Sequence, residues 1–382
     1  MFSKNIDFKN FNHKFDNKKI RKDLKSILVE DNEVLKSLTP TYKYQYNKNL
    51  IKKIKKEKVL KIIGMGGSIL GTLAIHDYLK YKIKKKIIFC DNLESNVKIK
   101  KNSTNIIVSK SGNTLETIVN TNIITKKNEK NIFITGSQNS YLRSLALQIK
   151  AEIINHNNFI GGRYSVMSEV GMLPAELMGL NESKFKQLNN LIKNKHFINL
   201  LITNVASTLF FIKNKKLNSI ILNYDNSAHN LFKWYQQLIA ESLGKKGKGI
   251  LPIISSMPKD NHSLMQLYLD GPKKNFFTFF YTKEKNTPRL NNSKILKSHN
   301  YLKNKTSENI KFAQKLATQN VFLKKNIPFR SFEVIHKNEQ SLGELFCFFI
   351  LETMLLAKAL NVNPYDQPSV ELIKKETKKI LI

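Results

Sequence analysis

Short runs of β-branched residues alternate with helical patterns from Val59 onwards, and this alternation constrains the fold more than any other feature. In the first half of the chain the runs are VLKIIG, IIFCD, NIIVS, NIFITG and AEIIN, with polar turns and helical patterns between them. Strands that are separated by helices pair in parallel through βαβ crossovers. The sequence therefore predicts an α/β fold with a parallel sheet in this half.

A second series of strands follows a long helical region that runs from about Glu182 to Asn214. Its runs are SIILNY, GILPIIS, FFTFFY and FRSFEV, again with helical patterns between them. We expect two α/β sandwiches in tandem, without an obvious sequence repeat. The predicted divisions are an N-terminal helical segment (1–50), a first domain (51–181), a second domain (182–340) and C-terminal helices (341–382).

The charge balance bears on the possible partners. The chain has 64 basic and 29 acidic residues, a formal net charge of +35. Nearly all the basic residues are lysines spread along the whole chain, and they accompany abundant asparagine and isoleucine, which share A/T-rich codons. We therefore expect no nucleic-acid partner. A positive field still favours the approach of small anions.

Several features point to the cytoplasm. No apolar run reaches the roughly 18 residues that a membrane span needs, and the polar N-terminal sequence has no visible signal peptide. Cys90 and Cys347 lie within apolar stretches, which is typical of buried thiols in a reducing compartment. Local spacing for a zinc site is absent. We expect a cytoplasmic protein with no membrane and no metal.

The segment SKSGNTLET, from Ser109 to Thr117, follows an apolar strand and precedes a helical pattern. Ser109, Ser111 and Thr114 offer hydroxyl donors, Lys110 adds a positive charge, and a helix N-terminus favours an anion. These groups suit a phosphate. The alternative is an ordinary helix cap made by Thr114 or Thr117, although a cap needs only one hydroxyl.

GMGGSILG, from Gly64 to Gly71, also lies at a strand-to-helix turn. Glycines allow a ligand to approach the backbone closely, and the following helix offers free N–H groups. A dinucleotide fingerprint, with Asp91 for the ribose, lacks its third glycine, because Ile69 stands there. A plain turn that lets helix and strand pack closely stays open as an alternative.

Four charged or titratable residues are further candidates for chemistry. Arg163 follows paired glycines in GGRYSVMSEVGMLPAEL, where a guanidinium suits a developing oxyanion. Glu241 lies near the end of the helical pattern WYQQLIAESLG, which is expected to bring it near the carboxyl edge of the second predicted sheet. His262 lies in the loop DNHSLMQLYLDGP. Lys374 lies on the terminal helix. Each has an ordinary alternative: a surface arginine, glutamate or lysine, or a structural histidine.

Together these segments resemble the glucose-6-phosphate isomerase family. GMGGSILG, SKSGNTLET, GGRYSVMSEVGMLPA, QQLIAESLGK and NPYDQPSVELIK are similar to five blocks of that family and occur in the family's order. The resemblance implies two tandem sugar-isomerase (SIS) domains, which are flavodoxin-like αβα sandwiches with parallel sheets. It also implies a homodimer that interconverts glucose 6-phosphate and fructose 6-phosphate, in glycolysis and gluconeogenesis, without metal or organic cofactor.

The resemblance assigns roles by motif position. Glu241 is the proton-transferring base, and Arg163 stabilises a cis-enediolate. His262, supplied by the neighbouring subunit, and Lys374 assist ring opening. The remaining residues are expected to bind the substrate: Gly67, Ser68, Ser109, Lys110, Ser111, Thr114 and Gln367.

Two features of the sequence depart from the family, and a third bears on another protein class of the same fold. Ile373 stands where a glycine usually precedes the lysine, and the chain is shorter than most members. An aminotransferase module of the same fold would need an N-terminal cysteine after the initiator, and residue 2 is Phe. The alternative that stays open is a non-catalytic sugar-phosphate sensor.

Overall fold

A computed structural model describes residues 2–11, 17–93, 103–126 and 129–382. The strands within these ranges are β1 (Ile6–Lys9), β2 (Val59–Ile63), β3 (Lys86–Cys90), β4 (Thr104–Ser109), β5 (Lys130–Thr135), β6 (Glu152–Asn155), β7 (Asn218–Asn223), β8 (Leu251–Ser256), β9 (Asn275–Thr282) and β10 (Phe329–Val334). The helices are α1 (Lys18–Val29), α2 (Glu33–Ser37), α3 (Lys48–Lys55), α4 (Leu70–Tyr78), α5 (Leu115–Ile124), α6 (Tyr141–Gln148), α7 (Glu169–Leu177), α8 (Leu188–Lys193), α9 (Lys195–Lys213), α10 (His229–Leu243), α11 (Met265–Asp270), α12 (Ser307–Lys324), α13 (Glu339–Ala359) and α14 (Val370–Leu381).

The first sheet has the strand order β3-β2-β4-β5-β6, and all its neighbouring strands are parallel. This is the flavodoxin-like order, in which the chain reverses direction across the sheet between β2 and β4. All of β4 is buried, as expected for a parallel strand that helices cover on both faces. Ligands of such sheets bind at the carboxyl ends of the strands beside that reversal.

The second sheet has the order β1-β10-β9-β7-β8, and its strands β7 to β10 are parallel. Those four strands repeat the order of the first four strands of the other sheet. The prediction of tandem α/β sandwiches with parallel sheets and helices on both sides is therefore confirmed. The three predicted domain boundaries stay predictions.

The prediction that residues 1–50 are helical is wrong at their start, because Ile6–Lys9 forms β1. This strand pairs antiparallel with β10 at the edge of the second sheet. Ile6 and Phe8 point into the core, and Phe8 packs against the rings of Phe332 and Phe348. Burial of these side chains therefore stabilises a strand that the lysine-rich sequence around it does not predict.

Two long helices form the centre of the molecule. Almost every residue of α13 is buried, where the helix packs against α1, α9 and α10. By length and composition α9 is apolar enough to cross a membrane, but half of its apolar window is buried inside the protein. Asn204 in α9 binds the buried side chains of Glu352 and Arg330. α9 therefore packs one side against the core of the protein.

The remaining strand and helix predictions agree with the structure. All nine predicted runs are strands, and both cysteines are buried as expected. The helix predicted after IIFCD falls on residues 94–102, which lie outside the described ranges. Parallel strands buried on both faces read as continuous apolar runs, which explains why β4 and β5 were visible in the sequence.

Candidate active site

A cavity of about 450 Å³ opens at the carboxyl edge of the first sheet, beside the reversal between β2 and β4. Residues that follow four strands of this sheet line it, together with residues from α10 and the C-terminal segment. The lining residues are Met65, Gly66, Gly67, Ser68, Lys110, Ser111, Thr114, Gly136, Gln138, Asn158, Gly162, Arg163, Gln237, Glu241, Gln367, Glu371 and Lys374. The cavity thus combines most of the predicted site residues from distant parts of the sequence.

The glycine-rich turn after β2 packs directly against the segment that carries Arg163. A Cβ atom on Gly67 would lie 2.5 Å from the backbone nitrogen of Arg163, so only glycine fits there. Gly66 has a φ of +53°, which also favours glycine. Gly67 and Ser68 line the cavity. The turn therefore serves close packing and ligand access together.

The loop after β4 is organised by Ser109. This side chain is about 1% exposed. Its hydroxyl accepts a hydrogen bond from the Gly112 N–H at 3.1 Å and lies 3.0 Å from the Thr114 hydroxyl. Ser109 faces the loop from behind and does not line the cavity. Its placement is that of a residue that shapes the loop, while Lys110, Ser111 and Thr114 reach the cavity.

The N-terminus of α5 is open toward the cavity. Thr114 occupies the N-cap position, yet its side chain makes no capping hydrogen bond with the described part of the chain. Thr117 is buried inside the helix. Burial, and then the charge of Arg163, lower the pKa of Lys110. An anion here would gain hydrogen bonds from free helix N–H groups and would offset the crowded positive charge.

Arg163 is buried, and its guanidinium donates five hydrogen bonds. Nε donates to Ser242 Oγ at 3.0 Å, and Nη1 donates to Glu241 Oε2 at 2.7 Å and to Gln367 Oε1 at 2.8 Å. Nη2 donates to the carbonyls of Pro364 and Asp366, each at 2.8 Å. These contacts fix the cation and the C-terminal loop relative to the cavity.

Glu241 lies in the last turn of α10 and is about one quarter exposed. Arg163 binds its Oε2, and Gln237 Nε2 donates to its Oε1 at 2.9 Å. Sequence reasoning missed Gln237, although a residue four positions before Glu241 shares its helix face. Both carboxylate oxygens are therefore held, and each keeps a lone pair that faces no protein donor in these contacts.

The C-terminal segment closes one side of the cavity. Gln367 is held by Arg163. Lys374, on α14, lines the cavity beside Glu371, whose carboxylate accepts a hydrogen bond from Lys374 Nζ at 2.6 Å. None of the α14 side chains is buried. Lys374 is thus placed near the cavity on a helix that makes few packing contacts.

His262 is the predicted catalytic residue that this chain does not bring to the cavity. It is exposed in the turn after β8, at the carboxyl edge of the second sheet. The residues that line the cavity in the described part of the chain do not include it. Its assignment to a neighbouring subunit stays a prediction.

Comparison with known proteins decides the family. The sequence model described as phosphoglucose isomerase matches residues 14–382. The chain belongs to the phosphoglucose isomerase family. It is 33% identical over 355 residues to the glucose-6-phosphate isomerase of Methanocaldococcus jannaschii, an alignment that covers 87% of this chain and 86% of that relative. It is 32% identical over 375 residues to the glucose-6-phosphate isomerase of Mycoplasmopsis pulmonis, with coverage of 88% and 87%.

A solved structure supports the fold. The crystal structure of a hypothetical protein from Thermus thermophilus matches with a TM-score of 0.80 and 20% identity, covering 96% of this chain and 94% of that one. The family resemblance drawn from the motifs is confirmed by the family model and by the two relatives. As a member of the phosphoglucose isomerase family, the chain is an enzyme of the isomerase class.

Proposed function

We propose that this chain interconverts glucose 6-phosphate and fructose 6-phosphate through a cis-enediolate, as a cytoplasmic homodimer in glycolysis and gluconeogenesis. The observation that carries the proposal is the cavity in which an anion-binding loop, a buried guanidinium and a carboxylate meet. Its volume of about 450 Å³ lies within the range of small-molecule sites. Relatives at about one third identity are named for the same reaction.

The phosphate is assigned to the loop after β4. Ser111 and Thr114 donate hydroxyl hydrogen bonds, Lys110 supplies positive charge, and the uncapped N-terminus of α5 faces the same space. Gly67 and Ser68 line the neighbouring part of the cavity, where the sugar lies. Anchoring the phosphate at one end fixes where C1 and C2 meet the carboxylate at the other.

Glu241 moves the proton. In the open-chain aldose its carboxylate removes the proton from C2, and the electron pair of that bond forms the enediolate with C1 and O1. The same proton is then delivered to C1, while the hydroxyl proton of O2 passes to O1 and leaves the C2 ketone. Gln237 and Arg163 each hold one carboxylate oxygen, which keeps the group in one orientation.

Arg163 stabilises the negative charge that develops on the enediolate oxygens. Four of its hydrogen bonds go to groups other than Glu241, so the guanidinium is held in place before the substrate binds. A cation that needs no reorganisation during the reaction stabilises a transition state most effectively. Gln367, which Arg163 binds, contacts the ligand from the same side.

Ring opening is assigned to Lys374 and to His262, the latter contributed across the interface of a homodimer. Breaking the C1–O5 bond requires a proton at O5 and loss of the proton from the C1 hydroxyl. Lys374 lies at the cavity edge, and the exposed position of His262 after β8 leaves it available to a second copy of the chain.

The proposal is tested with purified protein in a coupled assay that detects fructose 6-phosphate formed from glucose 6-phosphate. We expect turnover without added metal, and tight competitive inhibition by a phosphorylated aldonate that mimics the enediolate. In Arg163→Ala the inhibition constant of this mimic should rise by at least the factor by which kcat/KM falls. Binding of glucose 6-phosphate by calorimetry without any turnover would refute the proposal and favour a sensor.

A further inference from the structure

The second sheet carries a cavity of its own at the position that corresponds to the active-site cavity. It has a volume of about 1110 Å³, and it is lined by residues that directly follow β7, β8, β9 and β10. The corresponding strands of the first sheet, in order, are β2, β3, β4 and β5. This second cavity therefore lies beside the reversal between β7 and β9, where sheets of this order bind ligands.

The loop after the third strand of each sheet has a similar sequence. After β4 it reads SKSGNT, from Ser109 to Thr114, and after β9 it reads TKEKNT, from Thr282 to Thr287. Each loop begins at the last residue of its strand, and that first residue is about 1% exposed in both. Hydroxyl, lysine, asparagine and threonine recur at the same four loop positions. All six residues of the second loop line the second cavity.

The two loops differ in character at two positions, where Glu284 and Lys285 stand in place of Ser111 and Gly112, but the Glu284 carboxylate is already paired. Lys311 Nζ lies 2.7 Å from Glu284 Oε1. The other carboxylate in the lining, Asp225, binds Lys337 at 2.9 Å. Each carboxylate in the lining therefore has a lysine beside it, although Lys311 also lies 3.4 Å from Glu308 Oε2 and is shared between the two glutamates.

Lys283 and Lys285 give the lining of the second cavity a net positive charge. Both line the second cavity, both are exposed, and neither has an ion-pair partner in the described ranges of the chain. Lys283 occupies the loop position that Lys110 has in the first loop. Thr287 likewise corresponds to Thr114 and lines the cavity. Hydroxyl and ammonium donors around a partly enclosed space are the groups that recognise a phosphate.

We propose that the second cavity is an anion-binding site that takes the phosphate group of a small phosphorylated metabolite. The ligand is held by Lys283, Lys285 and Thr287, with the sugar or other organic part in the remaining volume. The cavity has more than twice the volume of the active-site cavity, so it accommodates a molecule at least as large as a hexose phosphate. This site is independent of the isomerase reaction and of the residues assigned to it.

The test is calorimetric titration of the full chain with inorganic phosphate at low ionic strength. We expect two binding events in the wild type. We expect one in the variant Lys110→Met/Ser111→Ala/Thr114→Val (the silenced variant), which removes the predicted phosphate donors of the first loop. Adding Lys283→Met/Lys285→Met to that variant should weaken the remaining event at least tenfold. Thr287→Val, a milder change, should weaken it in the same direction.

The matched control is Lys297→Met/Lys303→Met, which removes two exposed lysines that do not line the cavity. In the silenced variant it should change phosphate affinity less than twofold. An equal loss in this control would assign the effect to net charge and overturn the proposal, as would the absence of any binding in the silenced variant. With an intact first loop, Lys283→Met/Lys285→Met should leave isomerase kcat within twofold, which separates this test from the proposed function.

The source of the phosphate group is distinguished by a parallel titration with glucose 6-phosphate. Tighter binding than inorganic phosphate in the silenced variant supports a site for a phosphorylated sugar, and equal binding supports a site for the phosphate group alone. Failure of both ligands to bind would overturn the assignment.

Discussion

Lys186 is a buried lysine whose charge should make the stability of the protein depend on pH. Its Nζ donates to the carbonyls of Ser37 at 2.5 Å and Met167 at 2.6 Å, and it lies over the rings of Tyr42 and Tyr44. No carboxylate in the described part of the chain forms an ion pair with it. Burial lowers the pKa of Lys186 from 10.5 to about 7.

The sign follows from counting protons. Between pH 7 and pH 10.5 the unfolded chain keeps Lys186 protonated, while the folded chain increasingly loses that proton. Because the unfolded state then binds more protons, the free energy of unfolding rises with pH across this window. With a change of about 1.4 kcal/mol per pH unit for one proton, the gain between pH 7 and pH 9.5 is about 3 kcal/mol.

The assay is urea unfolding of the wild type, Lys186→Met and the control Lys184→Met at both pH values. Removing Lys186 also removes two hydrogen bonds, but that loss is the same at each pH and cancels in the comparison. The wild type should gain about 3 kcal/mol relative to Lys186→Met between pH 7 and pH 9.5. The exposed Lys184→Met should follow the wild type. A wild-type minus Lys186→Met difference that is constant with pH would refute the reasoning.

Three further substitutions have defined outcomes. Thr114→Val removes one donor to the phosphate and should raise KM roughly tenfold or more with little change in kcat, measured by steady-state kinetics. Gly67→Ala adds a Cβ atom against the backbone of Arg163 and should lower kcat/KM by about a hundredfold while the circular dichroism spectrum is unchanged. Arg330→Met leaves the buried carboxylate of Glu352 unpaired and should cost about 3–5 kcal/mol in urea unfolding, most of which Arg330→Met/Glu352→Leu should restore.

The central strands of the first sheet are visible in the sequence because they are buried on both faces. Runs such as NIIVS and NIFITG are apolar without interruption, and each lies in the centre of the first sheet. The edge strand Ile6–Lys9 has only two inward side chains within four residues. Its strand structure depends on the pairing with β10, more than 300 positions away, which local pattern does not encode.

The candidate site was predictable in composition but not in detail. The sequence places hydroxyls after β4, but the inward direction of Ser109 depends on the strand register, which pairs it with Thr135. Likewise, the five hydrogen bonds of Arg163 reach residues near Pro364, about 200 positions later. Gln237, which the sequence reasoning missed, could have been found from its position four residues before Glu241 on the same helix face. The similarity of TKEKNT to SKSGNT gains meaning only when both loops are seen to begin at strand ends.

The proton transfer assigned to Glu241 is tested most directly by kcat of Glu241→Gln, because glutamine can still accept the hydrogen bond from Arg163 but cannot act as the base. The matched control is Glu376→Gln, a carboxylate on α14 outside the cavity. We expect kcat of Glu241→Gln to fall by about 10²–10⁴-fold, with KM changed little and the control unaffected. A kcat within about tenfold of the wild type would contradict the assignment of Glu241 as the base.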